Sequence, residues 1–197
     1  AQCVATNLQH QYPPLYAEAI ELKVGSVDTR AETYGRFMAA IDNADMIVDA
    51  SAEVSVNRHL EELACAKGIP YVWAYGTNGA WGGVVGRSVP GQTAGCYECF
   101  RYRLLDGANA LRAGIRVTES AITPPPAEDL PDVQPVGCFH PTFRGTGFDL
   151  DAISQLAARL IVATLCRDGP EASDSYTDFA WDIAVLSQWD DQTGLPT

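Results

Sequence analysis

The sequence is poor in lysine and has no long hydrophobic run. Only Lys23 and Lys67 are lysines among 197 residues, and the net charge at pH 7 is −12. An acidic surface of this kind disfavours non-specific binding to nucleic acids and to anionic membranes. A membrane-spanning helix needs about 20 consecutive apolar residues, and no stretch of the sequence approaches that length. The first ten residues also lack the basic and apolar regions of a signal peptide, so we expect a cytoplasmic protein without a nucleic-acid or membrane partner.

Two further features are scarce or absent. The six cysteines are too few and too scattered for a secreted disulfide scaffold of this length, which favours a reducing compartment. A glycine-rich turn between a first strand and a first helix, which opens most dinucleotide-binding folds, is missing from the beginning of the sequence. The order of elements therefore predicts the second half of a larger domain.

The hydrophobic pattern predicts an α/β fold. Helical spacing marks "CVATNLQHQ", "AETYGRFMAAIDNA", "EVSVNRHLEELACAK" and "DLDAISQLAARLIVATLC", whereas "AEAIELKVGSV" alternates as a half-buried strand does. Because "DMIVDAS" is short and apolar, it is typical of a strand that is buried on both faces. With the helix that follows it and the strand "IPYVWAYG", it forms a βαβ unit. Further strands are predicted in "GGVVGRSV" and "YTDFAWDIAVLS", and residues 117–135 form a long proline-rich loop.

The pair Cys96 and Cys99 in "GCYECF" has the spacing of zinc ligands, with Tyr97 and Glu98 in a turn between them. A full tetrahedral site needs two more ligands. Cys138 and His140 of "GCFHPTF" are one possible completion, and a pair outside this sequence is another. Two buried thiols, or a redox Cys-x-x-Cys, remain open as alternatives.

Cys138 has a second possible role. It lies on an irregular segment just before the long helix, and a helix N-terminus stabilises a thiolate. This is the setting of a nucleophilic cysteine, with His140 as neighbouring base, although a structural cysteine in a turn fits the same pattern.

Asp49 ends the first buried strand, at the edge where α/β proteins bind ligands. Glu53 follows at the start of the next helix, and Arg58 lies further along it. An aspartate and an arginine facing one crevice would hold a metal and a phosphate, respectively. A helix-capping acid and a surface arginine are the alternative interpretation.

The segment "ADMIVDASAEVSVNRHLEELACAKGIPYVWAYGTNGAWGGVVGRSVPGQTAGCYECF" resembles the ThiF/MoeB/E1 family of adenylyltransferases, and "GCFHPTFRGTGFDLDAISQLAARLIVATL" is similar to the family's next segment. These enzymes activate the C-terminal glycine of ubiquitin-like proteins, or related carboxylates, with MgATP. The resemblance implies an incomplete Rossmann-like ThiF/E1 domain over residues 1–197, with a mixed sheet, helices on its faces, and no nucleotide-binding glycine-rich loop.

The resemblance also implies roles for single residues. Asp49 and Glu53 would bind the ATP-associated magnesium, Arg58 would act in catalysis, Cys96 and Cys99 would bind zinc, and Cys138 would accept the acyl group as a thioester. Ala52 occupies the position where many members carry the magnesium-binding aspartate, so Asp49 or Glu53 would have to replace it. A ubiquitin-like or sulfur-carrier-like partner and a homodimer are expected.

The sequence leaves three candidate functions for this chain. The first is the C-terminal part of an E1-like adenylyltransferase, inactive as this chain alone. The second is a non-catalytic ThiF-like module that binds a protein partner. The third is a redox protein. It is disfavoured because a thioredoxin-like Cys-x-x-Cys opens a helix near the N-terminus, whereas Cys96 and Cys99 lie late in the sequence.

Overall fold

The structure is a computed structural model that describes residues 1–26, 30–76, 82–105, 147–167, 179, 181–187, 189–190 and 195–196. The chain divides into two compact units, Ala1–Ala44 and Asp45–Thr197. The first unit holds α1 (Gln2–Gln11) and α2 (Ala31–Asp42). The second holds β1 (Ile47–Asp49), α3 (Val54–Lys67), β2 (Tyr71–Gly76), β3 (Gly82–Ser88), α4 (Tyr97–Leu105), α5 (Gly147–Cys166), β4 (Ile183–Ser187), β5 (Trp189–Asp190) and β6 (Leu195–Pro196).

In the first unit, the two predicted helices are confirmed, but the strand predicted around residues 17–26 is wrong. Ile20, Leu22 and Val24 are half-buried and alternate with the exposed Glu21 and Lys23, as the pattern indicated, although Ala19 is half-buried too. No strand among the described residues pairs with this segment, so it forms no ladder, and it ends in a turn at residues 24–25. The alternation therefore reports which side chains are covered, and a strand needs a hydrogen-bonded partner in addition.

In the second unit, four strands form a mixed sheet in the order β1-β2-β3-β4. β1 and β2 are parallel, with Ile47 opposite Tyr71 and Asp49 opposite Trp73. α3 connects them, which confirms the predicted βαβ unit, and its C-cap Gly68 has a left-handed φ of 70°. β3 is antiparallel to β2 and to β4. The predicted α/β class with a mixed sheet is therefore confirmed.

Alternation along β2 separates two faces of this sheet. Val72 packs with Ile153 and Leu160 of α5 in the apolar core. Because neighbouring strand residues point to opposite sides, Tyr71 and Trp73 face the other way, toward α3 and α4. The sheet thus lies between the long helix α5 on one face and the pair α3 and α4 on the other.

Two expectations about these elements are corrected. β1 was predicted to be buried on both faces, but Val48 is 49% exposed. The strand is at one edge of the four-stranded sheet, so one of its faces is only partly covered. The segment around Cys96 and Cys99 was predicted to turn, but Tyr97–Leu105 is the helix α4.

Some predictions fall on residues that the structure does not describe. The proline-rich loop 117–135, Cys138 and His140 lie outside the described residues. Among the helices that are described, none combines the length and apolar character needed to cross a bilayer.

Candidate functional site

A tight turn follows Asp49 at the carboxyl end of β1. The Asp49 Oδ1 atom accepts the backbone N–H of Ser51 at 2.8 Å, and the Ser51 Oγ atom accepts the N–H of Glu53 at 3.2 Å. Ala52 between them has a φ of 56°, a left-handed conformation that is unfavourable for a residue with a Cβ. Side-chain acceptors from within the turn thus hold a costly backbone shape, and α3 begins one residue after Glu53.

The second oxygen of the Asp49 carboxylate is fixed by two buried side chains. Asn57 Nδ2 donates to Asp49 Oδ2 at 2.7 Å, and the Tyr71 hydroxyl donates to the same oxygen at 3.0 Å. Asn57 Oδ1 in turn accepts the hydroxyl of Tyr97 at 3.0 Å. Only 3% of Asp49 is exposed, so these donors and the Ser51 N–H replace the water that the carboxylate loses on burial.

Glu61 continues the polar network to α4. It lies one helical turn after Asn57, on the same buried face of α3. Its Oε1 accepts the N–H of Tyr97 at 2.7 Å, and its Oε2 lies 3.3 Å from the N–H of Glu98. These N–H groups belong to the first turn of α4, where a helix has no internal acceptors. The carboxylate of one helix therefore caps the next.

Burial sets the protonation behaviour of two members of this network. Burial raises the pKa of the Tyr71 hydroxyl, and the adjacent Asp49 charge raises it further. Tyr71 therefore remains a neutral donor. Burial also raises the pKa of Glu61, against the opposing effect of the N–H groups of Tyr97 and Glu98.

An aromatic layer lies beside the network. Trp73 stacks on Tyr71 with ring centroids 5.6 Å apart and meets the edge of Tyr97 at 5.5 Å. Gly86 of β3 lies opposite Trp73 in the sheet, and a Cβ at Gly86 would be 2.3 Å from the indole. Because Gly86 has no side chain, the indole of Trp73 can pack directly against β3.

The structure places the predicted site residues as follows. Asp49 is buried and bonded within the network, and Glu53 is the half-buried N-cap residue of α3. Arg58 is exposed, and its Nε lies 2.6 Å from Glu98 Oε1 on α4. Asp49 and Glu53 thus lie together at the two ends of one turn, whereas the guanidinium of Arg58 is paired with Glu98 of α4.

The cysteine pair is close, as its spacing predicts. The sulfur atoms of Cys96 and Cys99 lie 3.5 Å apart at the beginning of α4. Burial raises the pKa of the Cys96 thiol. Two thiols supply half of a tetrahedral zinc site, and the described residues contain no group of three His, Cys, Asp or Glu side chains arranged to hold a metal. The zinc role of the pair remains a prediction, and so does the thioester role of Cys138.

Sequence reasoning missed four members of the network: Asn57, Glu61, Tyr71 and Tyr97. A signal was present in α3, where Asn57 and Glu61 occur among Leu60 and Ala64 on one helical stripe. Polar residues at inward positions of a helix must find buried partners, and here those partners are Asp49 and the N-terminus of α4.

Comparisons with known proteins place this geometry in context. No protein-family model matches the sequence. The chain is 30% identical over 187 residues to the uncharacterized protein y4oA of Sinorhizobium fredii (strain NBRC 101917 / NGR234), covering 91% of this chain and 28% of y4oA. It is 26% identical over 164 residues to y4qC of the same strain, covering 80% and 26%, respectively.

Among solved structures, the chain superposes on E. coli MccB bound to ATP with a TM-score of 0.50 and 15% identity, over 95% of this chain and 46% of MccB. The chain has the α/β fold of MccB. A further MccB structure, which holds AMPCPP and MccA, matches with the same TM-score and 16% identity. The chain spans less than a third of the curated relatives and about half of MccB, and an identity this low shows the fold alone.

Proposed function

We propose that this chain is part of an E1-like enzyme that uses ATP to adenylate a carboxylate, such as the C-terminus of a ubiquitin-like protein or peptide. The observation that carries the proposal is the MccB-like fold together with the organised turn after Asp49. Ligands of open α/β sheets bind beyond the carboxyl ends of the strands, which is where this turn lies. MccB has been solved with ATP and with AMPCPP and MccA, so the fold accommodates both a nucleotide and MccA in that protein.

The residues present fit magnesium and a nucleotide in part. Glu53 ends the turn as a half-buried acid beside the first turn of α3, and a carboxylate is a suitable magnesium ligand. Asp49 is buried and accepts three hydrogen bonds, so in the proposal it orients the turn. Arg58 would have to exchange Glu98 for a phosphate to act in catalysis. Bound MgATP would supply the adenylyl group, with pyrophosphate as the leaving group, and Glu53 and Arg58 would bind and orient it.

The remaining parts of the proposal follow from the family resemblance. The Cys138 thiol would attack the carbonyl of the acyl-adenylate and form a thioester, with AMP as the leaving group. Cys96 and Cys99 would hold zinc together with ligands from elsewhere. A homodimer is proposed on the resemblance alone. The apolar strand β2 gives it no further support, because Tyr71, Val72 and Trp73 are at most 1% exposed within this chain.

A non-catalytic module that binds a protein partner is the second candidate. The observation that favours it is Ala52, which stands where many family members carry the magnesium-binding aspartate, and the burial of the nearby Asp49. A scaffold of this kind keeps the fold and the partner surface without nucleotide chemistry.

Exchange of labelled pyrophosphate into ATP by the whole protein tests the first candidate, with C-terminal peptides and ubiquitin-like proteins as substrates. We expect Glu53→Gln and Arg58→Ala each to lower the exchange rate by at least about tenfold, because each removes a charge proposed to face the nucleotide. Glu62→Gln, an exposed acid on the same helix, is the matched control and should leave the rate unchanged. Absence of exchange with every substrate, alongside retained partner binding, would favour the module. Metal analysis of the same preparation tests for zinc.

A further inference from the structure

We propose that Tyr71 and Asn57 are positioning residues, whose hydroxyl and amide fix the Asp49 carboxylate and through it the turn from Asp49 to Glu53. The two donors reach one oxygen, Asp49 Oδ2, at 3.0 and 2.7 Å. The other oxygen is thereby directed at the backbone N–H of Ser51, which it accepts at 2.8 Å. The orientation of one carboxylate thus sets the backbone of the turn.

Burial makes these contacts strong determinants of orientation. Tyr71 is 1% exposed, Asn57 2% and Asp49 3%, so water does not compete for the hydrogen bonds. Tyr71 donates its only hydroxyl proton, which can serve a single acceptor. If that donor is removed, Asp49 Oδ2 keeps only the Asn57 amide, and the carboxylate gains freedom to rotate away from Ser51.

Asn57 is itself oriented by Tyr97. The Tyr97 hydroxyl must donate to Asn57 Oδ1, so the amide group of Asn57 points its NH₂ toward Asp49. The reversed amide would direct its oxygen at the carboxylate, where two acceptors repel each other. Tyr97 therefore acts on the turn indirectly, by orienting Asn57.

For catalysis, this inference rests on the proposed function, because the turn matters to chemistry only if a nucleotide binds beside it. The positioning itself has a readout that is independent of activity. The Ser51 amide is held by Asp49, so its rate of hydrogen exchange reports the orientation of the carboxylate.

The test compares the whole protein with Tyr71→Phe, which removes the hydroxyl and keeps the ring. We expect the Ser51 amide to exchange at least about tenfold faster in the variant. If the enzyme is active, the magnesium concentration for half-maximal pyrophosphate exchange should rise by several-fold, because the misoriented turn binds the cation less well. Tyr97→Phe should change both readouts in the same direction and by less.

Thr164→Val is the control for general destabilisation. Its hydroxyl lies 3.3 Å from Arg87 Nη1 on the opposite face of the sheet and donates to the Leu160 carbonyl, and none of its described hydrogen bonds reaches the turn. It should lower the melting temperature and leave Ser51 exchange and the magnesium dependence unchanged. Unchanged Ser51 exchange in Tyr71→Phe would overturn the positioning role, whatever the activity. A wild-type protein that exchanges no pyrophosphate, with Ser51 exchange still accelerated in Tyr71→Phe, would instead overturn the proposed function alone.

Discussion

At the scale of single residues, the buried carboxylates are stabilised by local donors and have no cationic partner in the contacts described. Asp49 accepts three hydrogen bonds from an amide, a hydroxyl and a backbone N–H. Glu61 accepts two backbone N–H groups. Hydrogen bonds from neutral donors fix the orientation of a carboxylate more closely than a mobile lysine would. A fixed carboxylate suits a turn whose backbone must keep one conformation.

The residues of this site were only partly predictable. The place of Asp49 at the end of a short apolar strand was predictable from the hydrophobic pattern, and its role as a ligand stays a prediction. Asn57 and Glu61 were missed, because a search for helical periodicity selects apolar residues and does not weigh the polar residues on the same inward stripe. Their partners, Tyr71 and the first turn of α4, are distant in sequence and meet them only in the fold.

Gly86 gives a prediction at this scale. A methyl group there would lie 2.3 Å from Cζ2 of the Trp73 indole, well inside van der Waals contact. Gly86→Ala should therefore displace the ring and lower the free energy of unfolding by about 1–3 kcal/mol. Denaturant titration measures the loss, and the fluorescence of Trp73 should change with it.

Gly35 supplies the matched control for that substitution. It lies inside α2, and a Cβ there would meet no atom within 4 Å. Gly35→Ala should raise stability by about 0.5–1 kcal/mol, since alanine loses less backbone freedom in a helix. A neutral or stabilising Gly86→Ala would show that the indole is not held against β3.

At the scale of elements, the sequence predicts regular structure well where apolar residues repeat. α1, α3, α5 and the strands β2 and β3 follow from periodicity, and Gly68 ends α3 as expected. α4 was missed because its first turn is stabilised by Glu61 from another helix, a contact that no local pattern reveals. The strand predicted near residue 20 failed for the converse reason, since a local pattern was present without a pairing partner.

The cap of α4 leads to a prediction about pH. Burial raises the pKa of Glu61 above its ordinary value of 4.5, so between the two values the folded protein keeps a proton that the unfolded chain releases. The stability due to this group is complete below pH 4.5 and is lost as the pH rises through the raised value. We therefore expect the stability of the wild type relative to Glu61→Gln to fall with increasing pH.

Urea titrations of both proteins from about pH 4 to about pH 8 measure this difference. Glutamine keeps the size and one acceptor oxygen of Glu61, so the comparison isolates the ionisation. A difference that instead grows with pH would mean that the N–H groups of Tyr97 and Glu98 outweigh the effect of burial, and that the pKa of Glu61 is lowered.

At the scale of the whole molecule, the four-stranded sheet separates two polar systems. On one face, Asp49, Asn57 and Tyr71 connect β1, α3 and β2. On the other face, Arg87 is only 6% exposed and donates hydrogen bonds to Asp182 and to Thr164, so it connects β3 to α5. The overall α/β class was predictable from the order of elements, whereas this division was not, because it depends on which neighbour each strand residue meets.

Double-mutant cycles test whether the two systems are independent. Tyr71→Phe and Tyr97→Phe both act on Asn57, so we expect their effects on the free energy of unfolding to be non-additive by about 0.5–3 kcal/mol. Once the first hydroxyl is gone, Asn57 is already less well held, and loss of the second costs less. Tyr71→Phe and Thr164→Val share no partner, so their effects should add to within about 0.5 kcal/mol. Additivity of the tyrosine pair would mean that Asn57 does not transmit orientation between them, and coupling across the sheet would mean that α5 and the turn after β1 respond to one another.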